Sequence, residues 1–437
     1  MVLGLSPQVI GLIALGVMLL LMLLRVPVAY AMMFIGLVGM AIMRGWNAGV
    51  QTVVTTLYNK FVSYSFSPIP MFILMGYLAF HAGILEELFD VARKWIGRFN
   101  GGLVNAGIIG GAGFGAVCGS GNASSATLSR VVVPELLRHK TDRKLAFGAI
   151  CSAGILAPLI PPSVMGMLIA VVLEVSIGKV LIGGLVPGLL LTILFCAYVS
   201  LNVRLHPEKA PKAEKVSWKE RIKALPRIWD FALIVLLIVV GIYSGLFSAT
   251  EAGAVSSAAM LIILLIKKKF TFKLLLDALI DTIRTTASAF FIVGTAFTFG
   301  SFLTLTKLPN LFAQWLIGLD VPVIVVMLLI TLFYLIIGMF MDVLSVIYIT
   351  VPILAPAVGA MGYDFVWFAV YLLILASVAA ISPPFGGSLF VMRASIEDST
   401  MGEIYSGVIP FSILAIVGCL ICLFFPQVIM FLPNLMY

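Results

Sequence analysis

The sequence predicts an all-α polytopic membrane protein made of two inverted structural repeats with paired re-entrant hairpins and broken helices. Three observations carry this. The 437 residues are 62% hydrophobic and only 11% charged, far below the roughly 25% charge of a soluble domain. Apolar segments of about 20 residues, long enough to cross the hydrocarbon layer, recur along the whole chain. Landmark residues in the two halves stand at a near-constant offset. Trp95 and Trp315 are 220 apart, Gly119 and Gly338 are 219 apart, and Pro134 and Pro352 are 218 apart. Pro161-Pro162 and Pro383-Pro384 are 222 apart, and Ser176 and Ser399, like Pro187 and Pro410, are 223 apart. Chance matches among common prolines and glycines do not explain why the surrounding apolar blocks align as well. Paired halves with interrupted apolar segments at matching positions are a signature of secondary transporters.

The first half, 1–202, opens with apolar segments at about Val9 to Leu24 and Val26 to Met43, then a semi-polar stretch from Asn47 to Ser65. The first positive charge is Arg25, and no cleavable leader is apparent, which suggests an external N-terminus. Glu86 to Phe99 is amphipathic and too charged to span, so an interfacial helix anchored by Trp95 is expected. The Gly-rich run from Gly101 to Gly121 suits close helix packing rather than nucleotide binding, since no Lys-Ser/Thr ending follows. Between the halves, 203–227 is a basic loop. Arg204 to Arg227 holds eight Lys or Arg against three Glu, which marks a cytoplasmic connection. The second half, 228–437, starts with an out-and-back pair, Phe231 to Leu246 and Ala252 to Ile266, ending at Lys267-Lys268-Lys269 on the same side. The net charge of +8 is therefore a topology signal and not a nucleic-acid footprint. Cys419 and Cys422 form a CxxC inside an apolar run, where packed thiols are expected. The scattered His81, His139 and His206 give no metal centre, and no enzyme chemistry or organic cofactor is expected.

Each half breaks twice. The polar hairpin tips are Gly119-Ser120-Gly121-Asn122-Ala123-Ser124-Ser125 and Gly338-Met339-Phe340-Met341-Asp342. The mid-span breaks are Ile160-Pro161-Pro162-Ser163 and Ile381-Ser382-Pro383-Pro384-Phe385-Gly386-Gly387-Ser388. Proline has no amide donor and clashes with the preceding turn, so each pair frees backbone carbonyls. Such carbonyls are costly in hydrocarbon unless satisfied. They can be satisfied by neighbouring helices, as at a simple kink, or by a desolvated sodium ion, which needs hard oxygen ligands. The candidate sodium ligands are Gly119, Ser120, Asn122, Pro161, Ser163, Gly338, Asp342, Ser382 and Gly386. A carboxylate in a spanning hairpin normally faces a cavity or an ion, so Asp342 is read as a sodium ligand, with an interhelical salt bridge as the alternative. Glu135, Glu174 and Glu251 lie near helix ends. Candidate contacts for an organic anion are Ser124, Ser125, Arg130 and Arg393. The two arginines suit bidentate recognition of a carboxylate or sulfonate, or else snorkel to the interface.

These strings resemble the large membrane subunit of tripartite ATP-independent periplasmic (TRAP) transporters. The match extends through Ala126-Thr127, Leu185-Val186-Pro187-Gly188, Val351-Pro352-Ile353-Leu354-Ala355-Pro356 and Ser248-Ala249-Thr250-Glu251-Ala252, nearly the whole chain. The resemblance implies a sodium-coupled, elevator-type carrier in the inner membrane, with both hairpins and both broken helices in the moving body. It implies a small four-helix membrane subunit and a periplasmic substrate-binding protein as partners, and an organic acid anion as cargo. Arg393 is not part of the family's common pattern. A stand-alone divalent-anion carrier would be expected to show Ser-Asn-Thr at both tips, which the second tip lacks, and a channel would show a continuous polar stripe.

Overall fold

A computed structural model describes residues 5–212, 216–318, 321–341 and 343–436. Asp342, named above as a sodium ligand, lies outside the described residues.

The first half runs α1 (Pro7–Leu23), α2 (Val28–Arg44), α3 (Trp46–Phe61), α4 (Pro68–Ala82), α5 (Ile84–Ile96), α6 (Gly102–Cys118), α7 (Gly121–Arg138), α8 (Arg143–Gly154), α9 (Val164–Val172) and α10 (Ile177–Leu205). After the basic loop and α11 (Trp218–Ala224) come α12 (Trp229–Tyr243), α13 (Ala249–Ile266), α14 (Phe272–Thr306), α15 (Leu308–Gly318) and α16 (Val323–Phe340). The chain closes with α17 (Val343–Ala360), α18 (Phe365–Ile381), α19 (Gly387–Ser395) and α20 (Met401–Phe424). Among the described residues, eight helical stretches are long and apolar enough to cross a membrane. Outward-facing side chains such as Leu12, Ile193 and Leu236 are more than half exposed, as expected of a lipid-facing surface.

The helices recur in the same order in both halves. α6 and α7 form the first hairpin as α16 and α17 form the second, and α9 and α19 are each nine residues long. Most of the semi-polar stretch from Asn47 to Ser65 is the helix α3. Together α3 and α4 correspond to the single 35-residue α14. Pro68 and Pro70, which lack amide donors, start α4 as a separate helix.

One layer consists of α1–α4 with α12–α14, where α14 packs on α2, α3 and α4, and α13 on α4. A core of α6–α10 and α16–α20 lies beside it, with α8 against α6, α7 and α20. The glycine run of α6 serves that contact. A Cβ on Gly115 would sit 2.5 Å from the Ala157 Cα, and one on Gly111 would sit 2.9 Å from Leu128 and Ala153. Cys419 is a buried packed thiol bonded to the Tyr371 hydroxyl at 3.4 Å. Ser248 and Glu251 form a capping box at the start of α13, which explains the Ser-x-x-Glu spacing there.

The helix α5 is tied to the basic loop. Trp95 donates to the Arg221 carbonyl at 3.2 Å, and Asp90 pairs with Lys94, Arg93 and Arg227. Burial alone would raise the Asp90 pKa, but the bonds from Lys94 and Arg93 outweigh it and hold the carboxyl below its usual range. Lys267 bridges Asp230 at 2.5 Å and Glu87 at 2.6 Å. Desolvation works against its charge, yet the two carboxylates win and raise its pKa. Lys269 donates to the Ala82 carbonyl at 2.6 Å, and the Asp142 amide donates to the Lys209 carbonyl at 2.6 Å. The ends of α4, α7, α10 and α13 thus gather on one side with the basic residues, the cytoplasmic side by charge.

Candidate functional site

The first hairpin and the first break meet at one junction. Gly119 caps α6 in the left-handed region at φ +64°, a conformation glycine adopts without a Cβ penalty. Its carbonyl accepts the Val164 amide at 3.3 Å, and a Cβ on it would lie 2.8 Å from the Pro162 carbonyl oxygen. Hence the tip has no room for any side chain at this position. Ser120 follows as an extended N-cap of α7 whose hydroxyl makes no capping bond. Ser163 caps α9 by accepting the Gly166 amide at 2.8 Å. Among the described residues nothing donates to the carbonyls of Pro161 and Pro162. These buried, unsatisfied oxygens beside the free Ser120 hydroxyl are a donor set that fits a hard cation.

The second half repeats the arrangement with a difference. Gly338 packs with the place of its Cβ 2.7 Å from Ala379 at the end of α18. Ser382 donates to the Val378 carbonyl at 2.8 Å, and its own carbonyl accepts the Gly386 amide at 3.2 Å. A Cβ on Gly386 would lie 2.6 Å from the Ala380 carbonyl oxygen. Here α20 supplies donors to the break: Tyr405 to the Pro384 carbonyl at 2.6 Å and Ser412 to the Ile381 carbonyl at 3.2 Å. Both Pro-Pro bonds are cis.

A cavity of about 500 Å³ opens beside the first tip and reaches α18 and α19; Gly119, Ser120 and Asn122 line it, whereas Pro161, Ser163, Gly338, Ser382 and Gly386 lie behind its wall. Ser120, Asn122, Thr127 and Arg130 of the first hairpin form one wall, and Ser377 of α18 and Ser388 of α19 extend it from the second half. The opposite wall is α4 and α14, joined by a 2.9 Å bond between Tyr77 and Thr285. The Asn122 amide oxygen lies 3.8 Å from where a Cβ on Gly387 would sit, so the N-termini of α7 and α19 converge on the cavity. Ser388 is 1% exposed and its hydroxyl has no partner. Arg130 is exposed to the cavity, and among the described residues it makes no ion pair or hydrogen bond. Asp281, on the facing wall, pairs with Arg284 at 3.8 Å.

Three candidate contacts, Ser124, Ser125 and Arg393, lie away from the cavity in this structure. Ser124 and Ser125 are fully buried and face away from the cavity. At about 100° per residue, positions 122, 123, 126, 127 and 130 share the open face of α7 and positions 124 and 125 turn inward. There Ser125 packs on Gly154, whose Cβ would lie 1.9 Å from its hydroxyl oxygen. Arg393 also lies outside the cavity wall. It sits in the last turn of α19, about 9 Å along the axis from Gly387, and its Nη1 donates to the carbonyls of Ile396 and Glu397 at 3.4 and 3.1 Å. It caps a helix end, a role that cations fill at C-termini. Ser377, Ser388 and the Tyr77–Thr285 pair are cavity groups that the sequence pattern did not single out. Only Ser388 carried a signal, since it ends the second Pro-Pro string.

Paired hairpins and broken helices around a central cavity define a multi-pass membrane protein with a transporter fold. Solved structures of that fold include the YdaH transporter of Alcanivorax borkumensis, with a TM-score of 0.60 at 16% identity over 86% of this chain and 88% of that one. MtrF of Neisseria gonorrhoeae aligns with a TM-score of 0.59 at 14% identity, over 86% and 84%. By sequence, the family model described as "Tripartite ATP-independent periplasmic transporter, DctM component" matches residues 15–428. The chain belongs to that family, the large permeases of TRAP transporters, and is a multi-pass protein of the inner membrane. A Haemophilus influenzae TRAP transporter large permease is 31% identical over 84% of this chain and 90% of its own length. The C4-dicarboxylate permease DctM of Pseudomonas aeruginosa is 29% identical over 88% and 90%. The sialic acid permease SiaM of Vibrio cholerae is 28% identical over 94% and 95%.

Proposed function

We propose that the chain carries a monovalent organic acid anion inward in symport with sodium, by an elevator movement of the hairpin-bearing core against the α1–α4 and α12–α14 layer. The observation that carries this reading is Arg130, an unpaired guanidinium in a cavity walled by broken elements of both halves. An uncompensated arginine within a membrane costs at least a few kcal/mol. A bound carboxylate or sulfonate would neutralise it and accept a bidentate pair of hydrogen bonds. Thr127, Ser377 and Ser388 would meet the hydroxyl or carbonyl groups of the cargo. Relatives named for sialic acid, C4-dicarboxylate and isethionate support an organic acid, a sialic acid-like carboxylate or a sulfonate. One free guanidinium in the wall favours a single acid group over two.

Sodium would be held at two places. At the first tip the ligands are the carbonyls of Gly119, Pro161 and Pro162 with Ser120, Asn122 and Ser163. At the second they are Gly338, Asp342, Ser382 and Gly386. Sodium at the first junction would tie the hairpin tip to the break, which shapes the wall that presents Arg130. Loading of either site thereby favours loading of the other.

The small four-helix membrane subunit and the periplasmic binding protein complete the system in this reading. Its test is uptake by proteoliposomes holding this chain and its small partner under an inward sodium gradient. Uptake of a sialic acid-like carboxylate or a small sulfonate is expected only when the cognate binding protein is added. Full uptake without that protein, or without sodium, would overturn the proposal.

A further inference from the structure

A second cavity, of about 420 Å³, lies towards the other end of α14. The central cavity touches α14 at Asp281 and Thr285, the second one at 296 to 304. Eleven residues of helix separate the two, about 17 Å along the axis. Because α14 starts beside Lys267–Lys269, the central cavity lies on the cytoplasmic side and the second on the opposite side. The second cavity is also a cleft between the two layers. Lys60 of α3 and Phe297, Ser301 and Thr304 of α14 line one wall, and Glu174, Pro352 and Pro356 line the other.

Among the described residues, a single ionic contact spans that cleft. The Lys60 ammonium pairs with the Glu174 carboxylate. It also sits 4.1 Å from the centre of the Phe297 ring, within the range of a cation–π contact, so the outer layer aims the lysine across the cleft. Glu174 stands just beyond the end of α9 in the left-handed conformation, φ +56°, which turns its side chain out of the core towards Lys60. Both partners are charged and partly exposed in the cleft, and each belongs to a different layer.

We propose that Lys60 and Glu174 form an interlayer latch that closes the external cleft while the central cavity faces the cytoplasm. This latch presupposes the elevator movement proposed above. Sliding of the core would carry Glu174 away from Lys60, so the pair stabilises one end of the cycle only. Partly exposed ion pairs of this kind hold a state by a few-fold in equilibrium, enough to bias the resting state without locking it.

The experiment places a cysteine in the cleft by Thr304→Cys and measures its labelling rate by a membrane-impermeant maleimide added from outside, with Thr304-containing protein as the background. Glu174→Gln and Lys60→Gln should each raise the rate about two- to fivefold. The charge exchange Lys60→Glu with Glu174→Lys should return it towards the starting value. That return separates a latch from general loosening, which no exchange would reverse. If sodium, substrate and binding protein change the rate in the starting protein but none of the variants does, the latch is wrong and the elevator stands. If the cysteine responds to neither ligands nor variants, the elevator reading fails and the latch falls with it.

Discussion

Gly119→Ala is the most informative substitution in the first hairpin. The residue holds φ +64°, where an L-residue costs about 1–2 kcal/mol. The added methyl would also meet the Pro162 carbonyl oxygen at 2.8 Å, a contact that only a shift of a few tenths of an ångström in tip or break relieves. Together these cost roughly 2–3 kcal/mol. The cheapest relief is separation of the tip from the break, since the Gly119 carbonyl is tied there by one bond to Val164 of 3.3 Å. Sodium, held by oxygens from both sides, would then have to restore the junction. Its apparent affinity should fall roughly 30- to 150-fold, while the cargo's maximal rate at saturating sodium changes less. The assay is a sodium titration of uptake, paired with the sodium-induced rise in Tm of purified protein. Gly402→Ala is the control, because a Cβ there meets nothing within 4 Å. Wild-type sodium affinity in Gly119→Ala would refute the assignment of this junction to sodium.

Two further predictions follow from the cavity and the second tip. Arg130→Gln should cut cargo uptake at least tenfold, the loss of one charge-assisted pair, whereas Arg393→Gln should change it less than about twofold; equal losses would return Arg393 to the site. Asp342→Asn should lower the rate and flatten its sodium dependence, and unchanged sodium dependence would remove Asp342 from the cation site.

Much of the architecture was legible because its causes are local. Apolar runs of span length, proline pairs without amide donors and the charge of the 203–227 loop each act where they stand in the sequence. The glycine packing of α6 follows from spacing alone. The site was less legible because side-chain direction depends on helical phase and on neighbours. Ser124 and Ser125 belong to the same polar string as Asn122, yet one turn of α7 sends them inward. Arg393 follows the second break as Arg130 follows the first tip, but α19 is only nine residues long, so its sixth step already reaches the far end. Ser377 lies inside an apolar helix and becomes a cavity group only because the second half folds against α7. The junction of Gly119 with Pro162 joins residues 43 apart, which only the tertiary fold brings together.

The central claim is that an organic monoanion crosses with more than one sodium, and membrane potential tests it most directly. One sodium with a monoanion is electroneutral, while two sodiums carry one net positive charge inward. Moving that charge through 100 mV is worth about 2.3 kcal/mol, close to a 50-fold change in the accumulation ratio. Proteoliposomes with a fixed sodium gradient, binding protein and a substrate of known single charge can be given an inside-negative potential with potassium and valinomycin. Two coupled sodiums predict faster uptake and accumulation rising towards that ratio, with a sodium Hill coefficient above one. Uptake indifferent to the imposed potential, with a Hill coefficient near one, would contradict it.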